Sequence, residues 1–511
     1  DKGEVMASVT FEDFRTGLDR RKSQEVSDLR SLQECKNAYV TTGYAVAKRP
    51  GLANLHNATA LDTTFKGLYI HDRKLLTVTH AAGFVSPPAM AGYGINPPIG
   101  AGLEVIICGN PATPGDTIQR VWHISSFNRK LYVVVEYASG TIRHFYGSLA
   151  ELQAASPIAT PISDTNCPNT KSVAVSSSKV FAIGTNATGQ AYVKYCATED
   201  PTDWSSPDDA SGALGLPVGL ESGDDDDIVA VGTYRGDLLA FMTNNIQLWK
   251  TDPDPTQIVL DTVIDNAYIT FTDSQAAIGQ DSVFLNDGGF FAAGQLLYTD
   301  RMDTGDIGSQ ITSVVGPKIL ADAIANEPVA AHWAALNQYL CAIKDEIFVL
   351  SASTSTQLQA WSQYVLPTGF VVESITTFRE FCFLKITNAS GSYIYSFNPE
   401  KTIDDTFAGG TSAINVHIQS AYQSLGAQGR WKKIYGMDAL FTGTANVQHR
   451  WDARTPSEKT TAISLSSDTR PGPMIPVELM TTEVSFDITK SDDAAFTLNG
   501  LTYYFQPLGE F

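Results

Sequence analysis

Four adjacent carboxylates, Asp224 to Asp227 in the stretch ESGDDDDIV, form the densest anionic segment of the chain and could hold a calcium ion. Calcium-binding loops, however, alternate their ligands and place a glycine at the bend, so that the carboxylates converge on one ion. A contiguous run points its side chains in different directions. Three interpretations stay open: a solvated loop, a metal site, or an anionic loop facing the lumen of an oligomer. If this chain lines a channel, the candidate lumen or gate loop is Asp224, Asp225, Asp226 and Asp227.

Signatures of the common enzyme classes are absent from the sequence. It contains no G-x-S-x-G, no phosphate-binding loop, no dinucleotide fingerprint and no H-E-x-x-H. The S-x-D-x-G-x-T-W box of propeller sialidases is missing as well. We therefore predict a protein that is not an enzyme and uses no cofactor or metal. A glycan hydrolase stays open as the alternative, because 55 acidic residues always offer some pair of carboxylates.

The charge balance bears on nucleic-acid binding. The chain has 35 Lys and Arg against 55 Asp and Glu, a formal net charge of −20. Nonspecific binding to phosphates depends on clustered cations, so this balance predicts a surface that repels DNA. Charged residues make up only 18%, below the ~25% typical of soluble domains. A surface this poor in charge is expected to be buried largely against neighbouring chains.

Cysteine usage and hydropathy add two expectations. The six cysteines are scattered singly, without a C-x-x-C pair, which predicts free and mostly buried thiols in a reducing compartment. No run approaches the ~20 uninterrupted apolar residues that a membrane helix requires, so no membrane span is expected.

The elements that would position any site are short strands in a repeating pattern. In AVGTYRGDLLAFMTNNIQLW, apolar residues alternate between Gly and Asn turn signals, as in antiparallel hairpins. Similar stretches recur seven times, about 51 residues apart on average, around Lys74, Lys130, Lys179, Asp237, Ser282, Gln338 and Glu380. A period of roughly 40 to 50 residues with several strands per unit is typical of a β-propeller, whose blades surround a central channel. A β-sandwich with chance spacing is the alternative.

Both ends of the chain depart from this repeat. A serine N-cap at Ser23, followed by apolar residues at Val26, Leu29 and Leu32, predicts a short helix in the entry segment. After about Gly409, alternating strands without helix signals predict a separate antiparallel sandwich or barrel. The expected fold is all-β: an entry segment over 1–52, a propeller of about seven blades over 53–408, and a C-terminal β-sandwich over 409–511.

Stretches at both ends and in the middle of the chain match one known family in the same order. The first is the entry motif Phe11-x-x-Phe14-x-x-Gly17-Leu18-Asp19-x-Arg21, Leu32-x-x-x-x-Asn37-Ala38-x-Val40, Gly43 and Lys48-Arg49-Pro50-Gly51-Leu52. The others are TYRGDLLAFMTNNIQLWKTDPDP, DSVFLNDGGFFAAG and IQSAYQSLGAQGRWKKIYGMDALFTG. Together they resemble the tail nozzle proteins of short-tailed bacteriophages, also called tail tubular protein B.

This resemblance implies a structural virion protein at the tail tip, assembled in the host cytoplasm. Subunits would form a homohexameric ring docked on the head-to-tail adaptor ring, with tail fibres and a tail needle or tip protein as further partners. DNA would pass through the lumen without specific binding, and the ring would retain packaged DNA and open on host contact.

The entry motif supplies the candidate residues for the adaptor side of such a ring. The candidate platform, which we expect to pack against the C-terminal sandwich and to face the adaptor, consists of Phe14, Gly17, Arg21, Asn37, Lys48 and Arg49. A purely structural role within the subunit is the alternative for these residues. For the whole chain, the alternative functions are a propeller-type glycan hydrolase and a host-receptor adhesion module.

Overall fold

The computed structural model describes residues 6–508, except for 23–27, 56–59, 62, 81–101, 111–112, 155–158, 187–188, 207–212, 222–225, 280, 295, 297–305, 427, 467–471 and 473. Six short strands come first: β1 (Ala7–Phe11), β2 (Gly17–Leu18), β3 (Ser31–Lys36), β4 (Ala38–Val40), β5 (Val46–Lys48) and β6 (Gly51–Asn54).

Seven groups of three or four strands follow and form the blades of a β-propeller. Blades 1 to 3 contain β7 (Lys66–His71), β8 (Lys74–Thr79), β9 (Leu103–Ile107); β10 (Ile118–Phe127), β11 (Lys130–Tyr137), β12 (Ile142–Gly147); β13 (Val173–Ser176), β14 (Lys179–Thr185), β15 (Ala191–Tyr195) and β16 (Leu214–Leu216). Blades 4 and 5 contain β17 (Ile228–Tyr234), β18 (Asp237–Met242), β19 (Asn245–Lys250), β20 (Val259–Asp265); β21 (Ala276–Ile278), β22 (Asp281–Leu285) and β23 (Phe290–Ala292). Blades 6 and 7 contain β24 (Val329–Trp333), β25 (Gln338–Ile343), β26 (Glu346–Ser353), β27 (Leu358–Val365); β28 (Val371–Phe378), β29 (Phe381–Asn388) and β30 (Gly391–Asn398).

The first strands of the blades form a closed ring. Neighbours contact each other in the order β7, β10, β13, β17, β21 with the 3₁₀ turn before it, β24 and β28, and β28 returns to β7. Blade 7 is completed by β6, which pairs antiparallel with β30 through Phe397 and Leu52. A strand from before blade 1 thus closes the ring, and the blades protect each other's edges.

The sequence repeat corresponds to the hairpin between the first two strands of each blade. Its turns contain residues with positive φ, such as Asn128 and Arg129 (46° and 61°) or Ser177 and Ser178 (45° and 60°). Two-residue turns of this kind match the right-handed twist of the strands that they join. Each recurring stretch lies at or beside the start of the second strand, so the prediction of seven units is confirmed.

Blade 1 is irregular, and short helical segments connect some of the other elements. In blade 1, β9 pairs parallel to β8, after the segment that contains 81–101. The short helices are α1 (Leu149–Gln153), α2 (Val218–Glu221) and α3 (Thr312–Lys318), 3₁₀ turns Pro255–Gln257 and Thr272–Ser274, and a π turn Ile319–Ala323.

The C-terminal part is a two-sheet structure shared with the N-terminal strands. After the hairpin of β31 (Ile403–Asp405) and β32 (Thr411–Ala413) come β33 (Val416–Ser420), β34 (Lys432–Gly443), β35 (Ala445–Arg450), β36 (Ile463–Leu465), β37 (Ile475–Thr481), β38 (Ser485–Lys490) and β39 (Phe496–Pro507). One sheet has the order β37-β34-β39-β5-β4, with β1 also on β39. The other continues from blade 6 in the order β24-β25-β26-β27-β2-β3-β33-β38-β35-β36.

The entry segment differs from its predicted form. Residues 23–27 lie outside the described residues, but residues 31–36 form strand β3, so the helix expected to reach Leu32 is wrong there. The reason is non-local: β3 lies between β2 and β33, which supply backbone partners that a helix would forgo. Residues 1–52 are also not a separate unit, because their strands complete the sandwich and blade 7.

The largest apolar core lies where the sandwich meets blades 5 and 6. It joins Phe14 and Leu32 of the entry segment, Phe290 of blade 5, Trp361 of blade 6 and Ile418 of the sandwich. Each is nearly inaccessible to solvent. A close-packed core transmits strain and does not behave as a fluid. The propeller and the sandwich are therefore expected to move as one body. The six cysteines are buried and free, as predicted.

Candidate functional site in the propeller channel

The axis of the propeller contains a cavity of about 580 Å³. Its wall is formed by the first strand of every blade and by the 3₁₀ turn Thr272–Ser274. Such innermost strands have one edge without a strand partner, so their backbone N–H and C=O groups are available to the cavity. The backbone of these strands therefore makes the wall of the cavity polar. Selection of a particular ligand would depend on the side chains at the ends of the cavity.

An ion pair crosses this channel. Arg120 of blade 2 places Nη2 2.7 Å from Oδ2 of Asp273, which precedes blade 5 on the opposite side. Its Nη1 lies 3.9 Å from Oε2 of Glu327, ahead of blade 6. Glu327 is held in turn by the N–H and hydroxyl of Thr272, at 3.1 and 3.0 Å. The ion pair thus joins blade 2 to the turn that precedes blade 5, two parts of the ring that are not neighbours.

Burial shifts the protonation of the bridging carboxylate. Burial raises the pKa of Asp273 to about 6, although the nearby Arg120 guanidinium lowers it; Glu327 raises this pKa further and Lys171 lowers it. A carboxyl group that titrates near neutral pH is characteristic of functional sites, but ion-pair networks inside a fold produce the same effect.

A tryptophan and two basic residues flank the bridge. The guanidinium carbon of Arg120 lies 4.2 Å from the ring centroid of Trp122, and Nζ of Lys171 lies 4.9 Å from it. Trp122 donates its indole N–H to Glu136 at 2.7 Å. Within the described part of the chain, neither Lys171 nor Lys66 of blade 1 has a carboxylate oxygen within 4 Å.

Blade 7 contributes another acidic group of the cavity wall, and this group is neutralised inside the fold. Glu373 at the start of blade 7 forms an ion pair with Lys385, which is fully buried, and accepts from the N–H of Gly67 at 3.4 Å. Burial alone would raise the pKa of Glu373, but Lys385 and Lys66 lower it below its ordinary value. The carboxylates of the channel are thus already paired.

Blade 2 also presents polar atoms that lack a partner among the described residues. They are Nε2 of His123 and the hydroxyl of Ser125, both buried atoms on strands that line the cavity. Burial, with His144 nearby, lowers the pKa of His123 to about 4, so this imidazole is neutral at pH 7. Unpaired buried polar atoms are rare and call for water, an ion or a ligand.

The predicted gate loop is placed only in part. Asp224 and Asp225 lie outside the described residues, and Asp227 is exposed. Asp226 is buried and accepts from the hydroxyl of Thr243 at 3.0 Å and from the amides of Asn244 and Asn245 at 2.6 and 3.0 Å. Its carboxylate therefore fixes the β18–β19 turn and is not offered to a lumen.

Most of the predicted platform residues lie inside the subunit. Phe14 belongs to the shared core. Gly17 has φ +60° and lies so close to blade 6 that a Cβ would come within 2.6 Å of the Trp361 carbonyl oxygen. Asn37 donates to the Asn415 carbonyl at 2.8 Å and accepts from the Val365 N–H at 2.9 Å. These contacts join the sandwich to the propeller.

Two basic residues of the platform extend this junction, and a third is at the surface. Arg49 donates to Asn37 and forms a two-point ion pair with Asp404, with both side chains no more than 2% exposed. Lys48 donates to the Asp492 carbonyl at 2.9 Å, and burial together with Lys490 lowers its pKa to about 8. Arg21 is exposed and forms an ion pair with the nearby Asp19. Of the six, Arg21 is the one placed to reach another protein.

The channel residues were not singled out from the sequence, although a signal for them exists. In most blades the residue eight positions before the second strand lies at the start of the channel wall, and in five blades that residue is charged or aromatic. These residues are Lys66, Trp122, Lys171, Asp273 and Glu373. Aligning the seven hairpins on their second strands would have revealed them.

The described residues contain neither a cluster of metal ligands nor a membrane-spanning helix. No group of three or more His, Cys, Asp or Glu side chains there is arranged to hold a metal ion. No helix among them is long and apolar enough to cross a membrane.

Comparison with known proteins gives structural likeness only. No family model matches the chain, and no curated protein sequence matches it. The WD40 domain of Neurospora crassa Pan2 is 11% identical with a TM-score of 0.36, covering 69% of this chain and 95% of that one. An exo-β-1,3-galactanase from Phanerochaete chrysosporium, solved with galactose, is 13% identical with a TM-score of 0.23, covering 76% and 97%. TM-scores this low do not support an argument about the fold, so the assignment of a propeller depends on the arrangement of sheets in this chain.

Proposed function

We propose that this chain is a non-enzymatic structural subunit of a hexameric nozzle ring at the tail tip of a short-tailed bacteriophage. One observation carries the proposal: a continuous ten-stranded sheet runs from blade 6 through β2 and β3 of the entry segment into the C-terminal sandwich. A subunit that must bear load in a ring requires its parts to move together, and a shared sheet with a shared core meets that requirement.

The stretches that resemble nozzle proteins supply this framework. Asn37 and Arg49 of the entry motif tie the sandwich to blades 6 and 7. The stretches TYRGDLLAFMTNNIQLWKTDPDP and DSVFLNDGGFFAAG contain strands of blades 4 and 5, and Ile418 to Gly443 spans β33 and β34. The resemblance is thus concentrated in residues that build the subunit, which is where a structural protein would constrain its sequence.

The DNA path of such a ring would lie between subunits. The propeller cavity of about 580 Å³ has the volume of a small-molecule pocket, and the bridge from Arg120 to Asp273 crosses it. Six copies of −20 would carry −120 in total, so a lumen lined by their outer faces would give DNA few cations to bind.

Exposed apolar side chains supply surface for the subunit contacts. Leu320 and Ile324, one helical turn apart after α3, are 80% and 84% exposed. Trp431 and Met480, at the end of the first sandwich sheet, are 45% and 55% exposed. A closed ring is built from heterologous contacts, in which two different surfaces of one subunit meet those of its neighbours. Two separate apolar surfaces on one subunit fit this geometry.

Electron microscopy of the purified chain tests the proposal. Negative-stain class averages should show six-fold rings with a central opening, and the double variant Leu320→Glu with Ile324→Glu should yield fewer rings at the same concentration. Lys22→Glu, at an exposed polar residue, serves as the control and should form rings as the wild type does. Averages showing single particles in all three proteins, both alone and mixed with the adaptor ring of a short-tailed phage, would contradict the ring.

One observation favours the alternative of a glycan hydrolase. Asp273 lines the cavity, Glu327 lies 3.9 Å from the Arg120 guanidinium that pairs with Asp273, and the raised pKa of Asp273 would suit a general acid. Purified wild-type chain would then release sugars from a bacterial surface polysaccharide, and Asp273→Asn would abolish the release. The nozzle proposal predicts no turnover by either protein.

A further inference from the structure

The channel cavity has the properties of a ligand site that the ring function does not use. Its volume of about 580 Å³ falls in the range of ~300–1,000 Å³ common for small-molecule pockets. All seven blades contribute to its wall, so it is held by the most rigid part of the fold. The cavity lies on the propeller axis, whereas the proposed contacts between subunits use outer surfaces, so ligand binding and ring formation would involve different residues.

Each acidic group of the cavity region already has a cationic partner inside the fold. Asp273 lies 2.7 Å from the Arg120 guanidinium, Glu327 lies 3.9 Å from the same guanidinium, and Glu373 is paired with Lys385. Glu327 also accepts two hydrogen bonds from Thr272. A cationic ligand would have to displace these internal partners, which would leave a buried Arg or Lys unpaired at high cost.

The donors of the cavity, by contrast, are unused. Lys171 has three N–H donors; its ammonium lies over the Trp122 ring and its charge lowers the pKa of Asp273, but it has no carboxylate oxygen within 4 Å among the described residues. The Ser125 hydroxyl and Nε2 of His123 have no described partner. Because neutral imidazole can carry its proton on either nitrogen, His123 can also donate. Three available donors around one cavity match a ligand rich in acceptors.

We propose that the propeller channel binds a small oxyanion, carrying a carboxylate or a phosphate, with Lys171 as its charged partner and Ser125 and His123 as additional donors. Hydrogen bonds from an ammonium group to such oxygens are charge-assisted and stronger than neutral ones.

Isothermal titration calorimetry on the full chain tests this, with sodium phosphate in one arm and sodium glucuronate in the other, at constant ionic strength and pH 7. Wild type should bind at least one of the two anions at a single site. Lys171→Gln should weaken that binding at least about tenfold, because a hydrogen bond to a charged group is lost. Lys433→Gln is the matched control, since Lys433 likewise lies over an aromatic ring, Tyr435, but on the surface.

The two arms identify the chemical source of the ligand. Binding of phosphate alone assigns a phosphate ligand, and binding of glucuronate alone assigns a sugar acid or other carboxylate. If Lys171→Gln fails to fold, Ser125→Ala replaces it and should weaken binding several-fold. No heat of binding with either anion, or equal affinity in wild type and a folded channel variant, overturns the proposal. Both results are independent of whether the chain forms rings.

Discussion

At the scale of single residues, the Arg49–Asp404 ion pair is a buried contact at the junction between propeller and sandwich. Both side chains are almost fully buried, and Asp404 also accepts the Leu52 N–H at 2.9 Å. Removing one member leaves the other charge buried and unpaired, so Arg49→Ala should lower the free energy of unfolding by about 3–5 kcal/mol. Urea unfolding followed by tryptophan fluorescence measures the loss.

Arg21→Ala is the control for that change, because the Arg21–Asp19 pair is exposed and should contribute less than about 1 kcal/mol. If the two variants lose equal stability, the junction does not depend on Arg49, and the platform residues regain a role outside the subunit.

Asp226 gives a second residue-scale prediction. Its carboxylate accepts three hydrogen bonds from the turn at Thr243, Asn244 and Asn245. Asp226→Ala should therefore reduce stability by about 1–3 kcal/mol, because buried donors lose their acceptor. Its exposed neighbour gives the control, and Asp227→Ala should change stability by less than about 0.5 kcal/mol. If thermal melts give both variants the same unfolding midpoint as the wild type, the interpretation of Asp226 as a gate residue would be restored.

The sequence alone could not separate these two aspartates. They are adjacent and identical in type, and the partners of Asp226 lie 17 to 19 residues further along, in a turn that approaches only after blade 4 forms. The same holds for Asn37, whose partners are Val365 and Asn415. The pattern of residues near a position in the sequence does not show which residues far along the chain will contact it.

At the scale of elements, the closure of the propeller ring by β6 is the feature that a single substitution can test most directly. Its only strand partner among the described residues is β30, and the N–H groups of Leu52 and Asn54 point the other way, to Asp404 and Asp405. Ala53 lies between them and directs its N–H towards β30. Ala53→Pro removes that donor and should open blade 7, whereas Ala53→Ser at the same position should not.

Limited proteolysis reports the opening. Ala53→Pro should be cleaved between the entry segment and blade 1 faster than wild type, with Ala53→Ser cut at the wild-type rate. Equal protection of all three proteins would show that the ring closes without β6.

The hairpins were predictable and the entry helix was not, for the same physical reason. Turn residues such as Asn128 and Arg129 determine a two-residue hairpin locally, since few residues accept positive φ in succession. The helical pattern of Val26, Leu29 and Leu32 is a weak local preference. Pairing of β3 with β2 and β33 overrides it, and that pairing links residues nearly 400 positions apart.

At the scale of the whole molecule, the fold should be sensitive to acid. Burial lowers the pKa of His144 and of His449 to about 4, from an ordinary value near 6.5. Between these values the unfolded chain binds more protons than the folded one, so stability rises with pH across this window. Each fully buried histidine contributes a loss of up to about 3 kcal/mol as pH falls from 6.5 to 4.

Urea unfolding at pH 4.5, 5.5, 6.5 and 7.5 measures this slope. His449→Gln should make the slope shallower by the share of one histidine, whatever its effect on absolute stability at pH 7.5. A slope identical to that of the wild type would mean that His449 is protonated or solvated in the folded chain.

The sequence predicted the whole-molecule architecture in outline: all-β, seven repeated units and a C-terminal sandwich. It could not show which strands β1 to β5 pair with, because sheet partners, parallel or antiparallel, can lie at any distance along the chain. It also could not place the channel ion pair, whose members belong to blades 2, 5 and 6. Both features depend on closure of the ring, which no local window contains.

The native molar mass, measured by multi-angle light scattering, tests the central claim most directly. The account predicts a species near six times 55.1 kDa, either for the chain alone or once it is mixed with the adaptor ring of a short-tailed phage. A stable 55.1-kDa monomer at every concentration, alone and with the adaptor, would contradict the nozzle ring.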